Sequence, residues 1–359
     1  MKVECPNCRM ISTLEDDRII TSQNALELSC PNCEFGLVLE LQADAGNSEP
    51  AKPYKDPPDN QRTGSESSTI YSEKRPAIAA RKAKILRGLV NLPPMPHIIL
   101  KAREIIADPD SSLKDLAKII ETDQALVAKV LTLANSAYYG VSGMVASIQH
   151  ASVLLGQKTL VQLITISASL SLLNKNLKGY LVTPAEMWKH SLACAFAAKR
   201  ICEEIQPDLA EDAFVAGLLH DAGKIILDSY FEGHRDEFDR FSRQMDRPLF
   251  EAEKAILGFD HAEIMARACR LWRFPDVQSV AIRFHHSPYD SENSQLAYII
   301  HTADILAKSA GYVAGTPGQD NDIDPDVLWH LKIDLPGLEA IALATIDDVQ
   351  KIEKEVEEA

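Results

Sequence analysis

The chain has 359 residues, of which 46% are hydrophobic and 25% charged, and its formal net charge at pH 7 is -15. That composition supplies one large core or two smaller ones and excludes a disordered or fibrous protein. The acidic excess argues against a general nucleic-acid binder, because neutralising phosphates takes clustered Lys and Arg.

The first residues, MKVECPNCRM, lack the basic start and long apolar run of a signal peptide. No later stretch offers about 18 uninterrupted apolar residues, so the expectation is a cytoplasmic protein with no membrane association. Residues 1–42 alternate apolar and polar positions around two CPNC turns, as in ALELSC and FGLVLEL, which predicts a few short strands. So small a unit needs a metal or a disulfide to hold it together. From residue 43 to 74 the sequence is rich in Pro, Ser, Gly and charge and poor in aliphatics, as a flexible linker is.

Residues 75–359 carry a helical pattern almost to the end, so the large domain is expected to be all-α. The stretches SLKD (Ser112 to Asp115), TPAE (Thr183 to Glu186) and DHAE (Asp260 to Glu263) each offer an N-cap side chain with an acid three residues later. Gly140 and Gly156 follow apolar stretches and are expected to stop helices. The prolines of LPPMP, residues 92–96, break a helix ending near Val90. Residues 112–137 imitate a helix-turn-helix, but the second helix carries one lysine, Lys129, and much apolar surface, which fits a core helix rather than DNA binding.

Of the seven cysteines, Cys5, Cys8, Cys30 and Cys33 form the two CPNC pairs, about twenty residues apart. Two such turns present four thiolates to one tetrahedral ion, and the prediction is a structural Zn²⁺ with all four positions filled by protein. The segment resembles the finger-like zinc ribbons at the N-termini of bacterial regulatory proteins. Its three basic residues (Lys2, Arg9, Arg18) face seven acids, which favours a protein contact or a folding staple over nucleic acid. Cys194, Cys202 and Cys269 lie in apolar helical contexts and are expected in the core.

The stretch AGLLHDAGKIIL, residues 216–227, places His220, Asp221 and Lys224 in an apolar run on a helix expected to begin near Asp212. Burying a carboxylate beside an imidazole and an ammonium costs several kcal/mol unless each is paired or bound to metal. Alone, the triplet fits a structural ion pair as well as a metal site. Other inward or helix-end positions shift that balance. His190 shares a face with Ala193, Cys194, Ala197 and Ile201; His261 starts a helix; His285 and His286 form a pair at a helix end; Asp304 lies on an apolar face. Imidazoles and carboxylates together suit one or two divalent transition metals. His97, His150, His234, His301 and His330 show no such relationship, and Glu186 is explained by its capping position.

The order His190, His220-Asp221, His261, His285-His286, Asp304 resembles the ligand pattern of the HD superfamily of phosphohydrolases. The wider text, from NLPPMPHIIL through LANSAYYG, SIQHASVLLG and LGFDHAEIMARACRLWRFPDVQSVAIRFHH to LAYIIHTADILA, is similar to the HDOD branch over about residues 85–310. That resemblance implies an all-α regulatory module, a bacterial signal-transduction role through protein partners, and many members without a complete metal set. Here it implies one metal held by His190, His220, Asp221 and Asp304, and a second, bridged by Asp221, held by His261, His285 and His286. Lys224 would face a phosphate, and Asp221 and Lys224 would be catalytic if the site turns over. The alternative is a metal-dependent phosphohydrolase acting on a nucleotide or cyclic nucleotide. The HD-GYP cyclic-dinucleotide branch is disfavoured, since HHSPYDSENSQLAY holds neither a Glu directly after the pair nor a Gly-Tyr-Pro segment.

Overall fold

The computed structural model describes residues 2–4, 11–13, 20–22, 25–29 and 36–40 of an N-terminal unit, Met1–Gly64, and residues 67–90, 101–102, 105, 113–141, 143–245, 248–314 and 323–357 of a C-terminal unit, Ser65–Ala359. In the first unit, β1 (Lys2–Glu4) pairs antiparallel with β2 (Ile11–Thr13), Glu4 opposite Ile11. A second sheet has the order β3 (Ile20–Ser22), β4 (Ala25–Ser29), β5 (Gly36–Glu40), antiparallel throughout, with Ser29 opposite Gly36. Cys5, Cys8, Cys30 and Cys33 lie outside the described residues, as does the expected linker up to residue 66.

The second unit is helical. Its elements are α1 (Ser67–Val90), α2 (Leu113–Ile120), α3 (Gln124–Ala134), α4 (Ile148–Leu173), α5 (Pro184–Ile205), α6 (Ala210–Leu219), α7 (Gly223–Glu232), α8 (Arg235–Met245), α9 (Leu249–Leu257), α10 (His261–Leu271), α11 (Asp276–Arg283), α12 (Gln295–Ser309), α13 (Pro325–Leu331) and α14 (Leu335–Glu357). Helix α1 begins within the stretch expected to be linker. Ser112, the LPPMP segment and His97 lie outside the described residues. Among the described residues of this unit the one extended pairing is a bridge between Leu177 and Val182.

The predicted caps set several boundaries. Thr183 and Glu186 form a reciprocal capping box, with Thr183 Oγ1 accepting from Glu186 N at 3.3 Å and Glu186 Oε2 from Thr183 N at 2.8 Å. Asp260 Oδ1 accepts from Glu263 N at 2.7 Å and starts α10. Gly140 sits in the turn after α3 at φ 58°, and Gly156, at φ 81° and ψ 169°, ends the first of two helical stretches that meet at a kink within α4. The apolar part of α4, Ile148–Leu170, is long and apolar enough to cross a membrane, and 56% of that window is buried inside this unit. Lys129 is exposed on α3, while Leu126, Val130, Leu133 and Ala134 of the same helix are buried, as a core helix requires.

Helix α5 is the axis of the unit. Its small side chains Ala193, Ala195, Ala197 and Ala198 are fully buried, and α4, α6, α12 and α14 pack around it. Cys194, Cys202 and Cys269 are buried in this unit, as expected. The AGLLHDAGKIIL stretch departs from the expected single helix: α6 ends at Leu219, residues 220–222 make a turn, and α7 restarts at Gly223.

Candidate metal centre

Five segments converge on one point. His190 comes from α5, His220 and Asp221 from the turn between α6 and α7, His261 from the first position of α10, His285 and His286 from the chain just after α11, and Asp304 from α12. His190, His220, Asp221, His261, His285 and Asp304 are each at most 4% exposed, and His286 is half-buried. The seven histidines and aspartates singled out from the sequence therefore meet, while the four cysteines lie outside the described residues.

Three overlapping sets each hold ligand atoms within 4.8 Å of one another: His190, His220 and Asp221; His220, His285 and Asp304; His261, His285 and His286. His190 Nε2 lies 3.3 Å from Asp221 Oδ2, 3.3 Å from Asp304 Oδ1 and 3.2 Å from His220 Nε2. His261 Nε2 lies 3.0 Å from Asp221 Oδ1 and 2.9 Å from His286 Nε2. Asp221 thus touches both ends of the cluster.

The rings are aimed by what lies behind them. His190 Nδ1 donates to the carbonyl of Tyr312 at 2.8 Å, His220 Nδ1 to Gly217 at 2.7 Å and His285 Nδ1 to Ile282 at 2.7 Å. A carbonyl only accepts, so Nδ1 carries the proton and Nε2 of each neutral ring offers a lone pair to the interior. With both rings neutral, the lone pairs on His190 and His220 face each other at 3.2 Å, an approach that needs either a proton or a metal cation between them. His285 Nε2 is buried without any hydrogen-bond partner. An orphaned acceptor in a nest of nitrogen and oxygen donors fits a divalent transition metal.

In the protein alone, charges partly compensate. Burial would lower the His190 pKa, but hydrogen bonds to Asp221 and Asp304 outweigh it and raise it to about 9. Burial is likewise outweighed at His261, where Glu253 and Asp221 raise the value to about 10. Burial, followed by neighbouring imidazoles, holds His285 and His286 well below the usual range. Despite burial, Asp221 and Asp304 titrate well below an ordinary carboxylate, chiefly through Lys224 and Lys308 respectively. Lys224 Nζ donates to Asp221 Oδ2 at 2.6 Å and to the Ala314 carbonyl at 3.3 Å; Lys308 Nζ donates to Asp304 Oδ2 at 2.7 Å.

Some contributors escaped the sequence reading. Glu253 of α9, fully buried, accepts from His261 Nδ1 at 2.7 Å. Its one signal was its register with Ile256 and Leu257, inward positions three and four residues on. His301, set aside from the sequence, donates through Nδ1 to the His285 carbonyl at 2.7 Å. The carbonyls of Tyr312 and Ala314 leave no mark in a sequence. Gly223 matters for its missing side chain, because a Cβ there would lie 2.0 Å from the His261 carbonyl oxygen. The α7 start can sit against the α10 start only with glycine at that position.

An all-α unit with a buried histidine and aspartate cluster between its helices is the class that fold and site define. The HDOD domain family matches residues 92–288, over half of the chain, and the chain belongs to that family. A provisionally assigned phosphohydrolase from Shewanella amazonensis SB2B is similar at 25% identity and a TM-score of 0.62, covering 76% of this chain and 98% of that one. A provisionally assigned signal transduction protein from Marinobacter aquaeolei VT8 shares the fold at 22% identity and a TM-score of 0.62, covering 79% of this chain and 65% of that one. An uncharacterized protein of Treponema pallidum (strain Nichols) is 25% identical over 207 residues, which is 57% of this chain and 39% of that relative's length.

Proposed function

We propose that this protein is a bacterial signalling module. Its HDOD domain holds one or two divalent transition ions through His190, His220, Asp221, His261, His285, His286 and Asp304, and it acts through contacts with signalling partners. The observation that carries this reading is the burial of ligands drawn from five separate segments. An ion there ties α5, the α6–α7 turn, α10, the end of α11 and α12 into one arrangement, which is how a ligand shifts a population of helix packings. In this reading Lys224, which donates to Asp221 and to the Ala314 carbonyl, serves to neutralise the cluster.

The full ligand set favours a second reading, a metal-dependent phosphohydrolase acting on a nucleotide or cyclic nucleotide. The provisional assignment of the Shewanella protein as a phosphohydrolase points the same way. Bound divalent ions would supply Lewis-acid chemistry at a phosphoester. The chain's own part would then be to orient the ester with Lys224 and to hold the imidazoles neutral through their Nδ1 anchors. The N-terminal unit is proposed as a Cys5, Cys8, Cys30, Cys33 zinc ribbon. Its support is that each CPNC falls between two paired strands, β1 with β2 and β4 with β5.

The deciding experiment measures metal content in the purified chain and then hydrolysis of a panel of phosphodiesters and nucleotides. The expected result is bound metal with no turnover. Hydrolysis abolished in both His220→Ala and Asp221→Ala overturns the signalling-only reading.

A further inference from the structure

Glu253 presents an energetic problem. It is 0% exposed, and its carboxylate takes three donors: the backbone N–H of His261 at 2.7 Å and the His261 ring Nδ1 at 2.7 Å, both on Oε2, and the Tyr180 hydroxyl at 2.8 Å on Oε1. Among the described residues no lysine or arginine lies within ion-pair distance of it; its ion-pair partner is His261. Stripping water from an ionised carboxylate costs several kcal/mol unless a countercharge stands close by. That countercharge is the His261 ring itself when it is protonated; when an ion is bound and the ring is neutral, it lies beyond the far nitrogen, Nε2, which faces Asp221 Oδ1 and His286 Nε2.

The two ends of the cluster are also unequal. His190 and His220 stand beside two carboxylates, Asp221 and Asp304, each with its own ammonium. At the other end His261 meets the shared Asp221, His285 lies in one set with Asp304, and among the described residues His286 has no carboxylate within ion-pair distance. Both of those carboxylates also serve His190 and His220, so a cation among three neutral imidazoles is better compensated if further negative charge is supplied from behind a ring.

We infer that Glu253 is a positioning residue for the three-histidine end of the cluster: with an ion bound it fixes His261 with the proton on Nδ1 and the Nε2 lone pair inward, and it supplies at one remove a carboxylate that this end does not share with the other. Tyr180 completes the device. It sits in the turn between Leu177 and Val182, which is tied down from both sides: Gly179 N donates to Asp228 Oδ1 at 2.8 Å and Arg235 donates to the Gly179 carbonyl at 2.6 Å. The neighbouring Leu181, at φ 57°, is 66% exposed. A surface turn is therefore two hydrogen bonds from a metal ligand. This inference rests on the metal-binding reading above.

The test uses the full chain, stripped with chelator and titrated with Mn²⁺, followed by electron paramagnetic resonance and by melting with and without the ion. Mn²⁺ prefers nitrogen and oxygen donors to thiolates, so the CPNC cysteines do not compete. Glu253→Gln should weaken Mn²⁺ binding by about 10- to 100-fold, the usual consequence of losing a partner behind a ligating histidine. Tyr180→Phe should weaken it in the same direction by a smaller factor, and it decides the matter if Glu253→Gln does not fold. In both variants the rise in melting temperature produced by Mn²⁺ should shrink. Wild-type affinity in both variants, or an equal fall in melting temperature with and without Mn²⁺, overturns the inference while leaving the metal reading intact. A wild-type chain that binds no Mn²⁺ or Fe²⁺, and no zinc beyond the equivalent lost in Cys30→Ser, overturns the metal reading itself and this inference with it.

Discussion

At the scale of single residues, Asp221 is the pivot. Its Oδ2 faces His190 at 3.3 Å and takes the Lys224 ammonium at 2.6 Å, while Oδ1 faces His261 at 3.0 Å. Lys224 is 6% exposed, so its attraction to Asp221 acts in a medium that screens weakly. Removing one partner of such a buried pair leaves the other charge uncompensated, at a cost of about 3–5 kcal/mol. A divalent ion on Asp221 would supply the missing charge. Lys224→Met is therefore expected to lower the stability of chelator-treated protein by about that amount and of metal-loaded protein by clearly less. Urea unfolding of the variant and the wild type, each with and without EDTA, measures the difference. An equal loss in both conditions would mean that metal and ammonium do not share Asp221.

At the scale of elements, the site depends on where helices stop. Had residues 210–232 formed one continuous helix, His220 and Asp221 would project from mid-helix. The turn at residues 220–222 instead frees His220 Nδ1 to bond the Gly217 carbonyl and brings the α7 start against the α10 start. Gly223 makes that approach possible, since the nearest atom to an added Cβ is backbone oxygen of His261, with no side chain to swing aside. Gly223→Ala is expected to push α7 and α10 apart, at a cost of roughly 1–3 kcal/mol as in other overpacked cores, and to weaken metal binding because His261 moves with its helix. Thermal melts together with Mn²⁺ titration check both halves. A variant with wild-type stability would show that the two helix starts are free to separate. The reading of this stretch as one helix fails for a physical reason: its apolar residues keep helical spacing straight through the turn, and periodicity does not register a break that preserves phase.

At the scale of the whole molecule, most of the cluster was legible because polar residues stood where periodicity demanded apolar ones. His190 shares the face of Ala193 and Ala197, and Asp304 that of Ile300 and Ala307, all four of these apolar neighbours being fully buried. The supporting shell was mostly illegible, because the carbonyls of Tyr312, Gly217 and Ile282 act without side chains and Glu253 joins its histidine only once α9 folds back on α10. The N-terminal unit offers the reverse case, a motif legible in sequence whose partners are short strands. Three- to five-residue strands in a unit of 64 residues leave little length for a core, and below roughly 70–80 residues a disulfide or a structural metal commonly makes up the shortfall. The first CPNC follows β1 and precedes β2, and the second follows β4 and precedes β5, so closing both on one ion would clamp two hairpins together. The full chain purified under reducing conditions is expected to keep one equivalent of zinc after EDTA treatment. Cys30→Ser should lose that equivalent while Mn²⁺ binding through His220 and Asp221 stays unchanged. Zinc content unaltered by Cys30→Ser would remove the ribbon and leave the strands to be held by some other means.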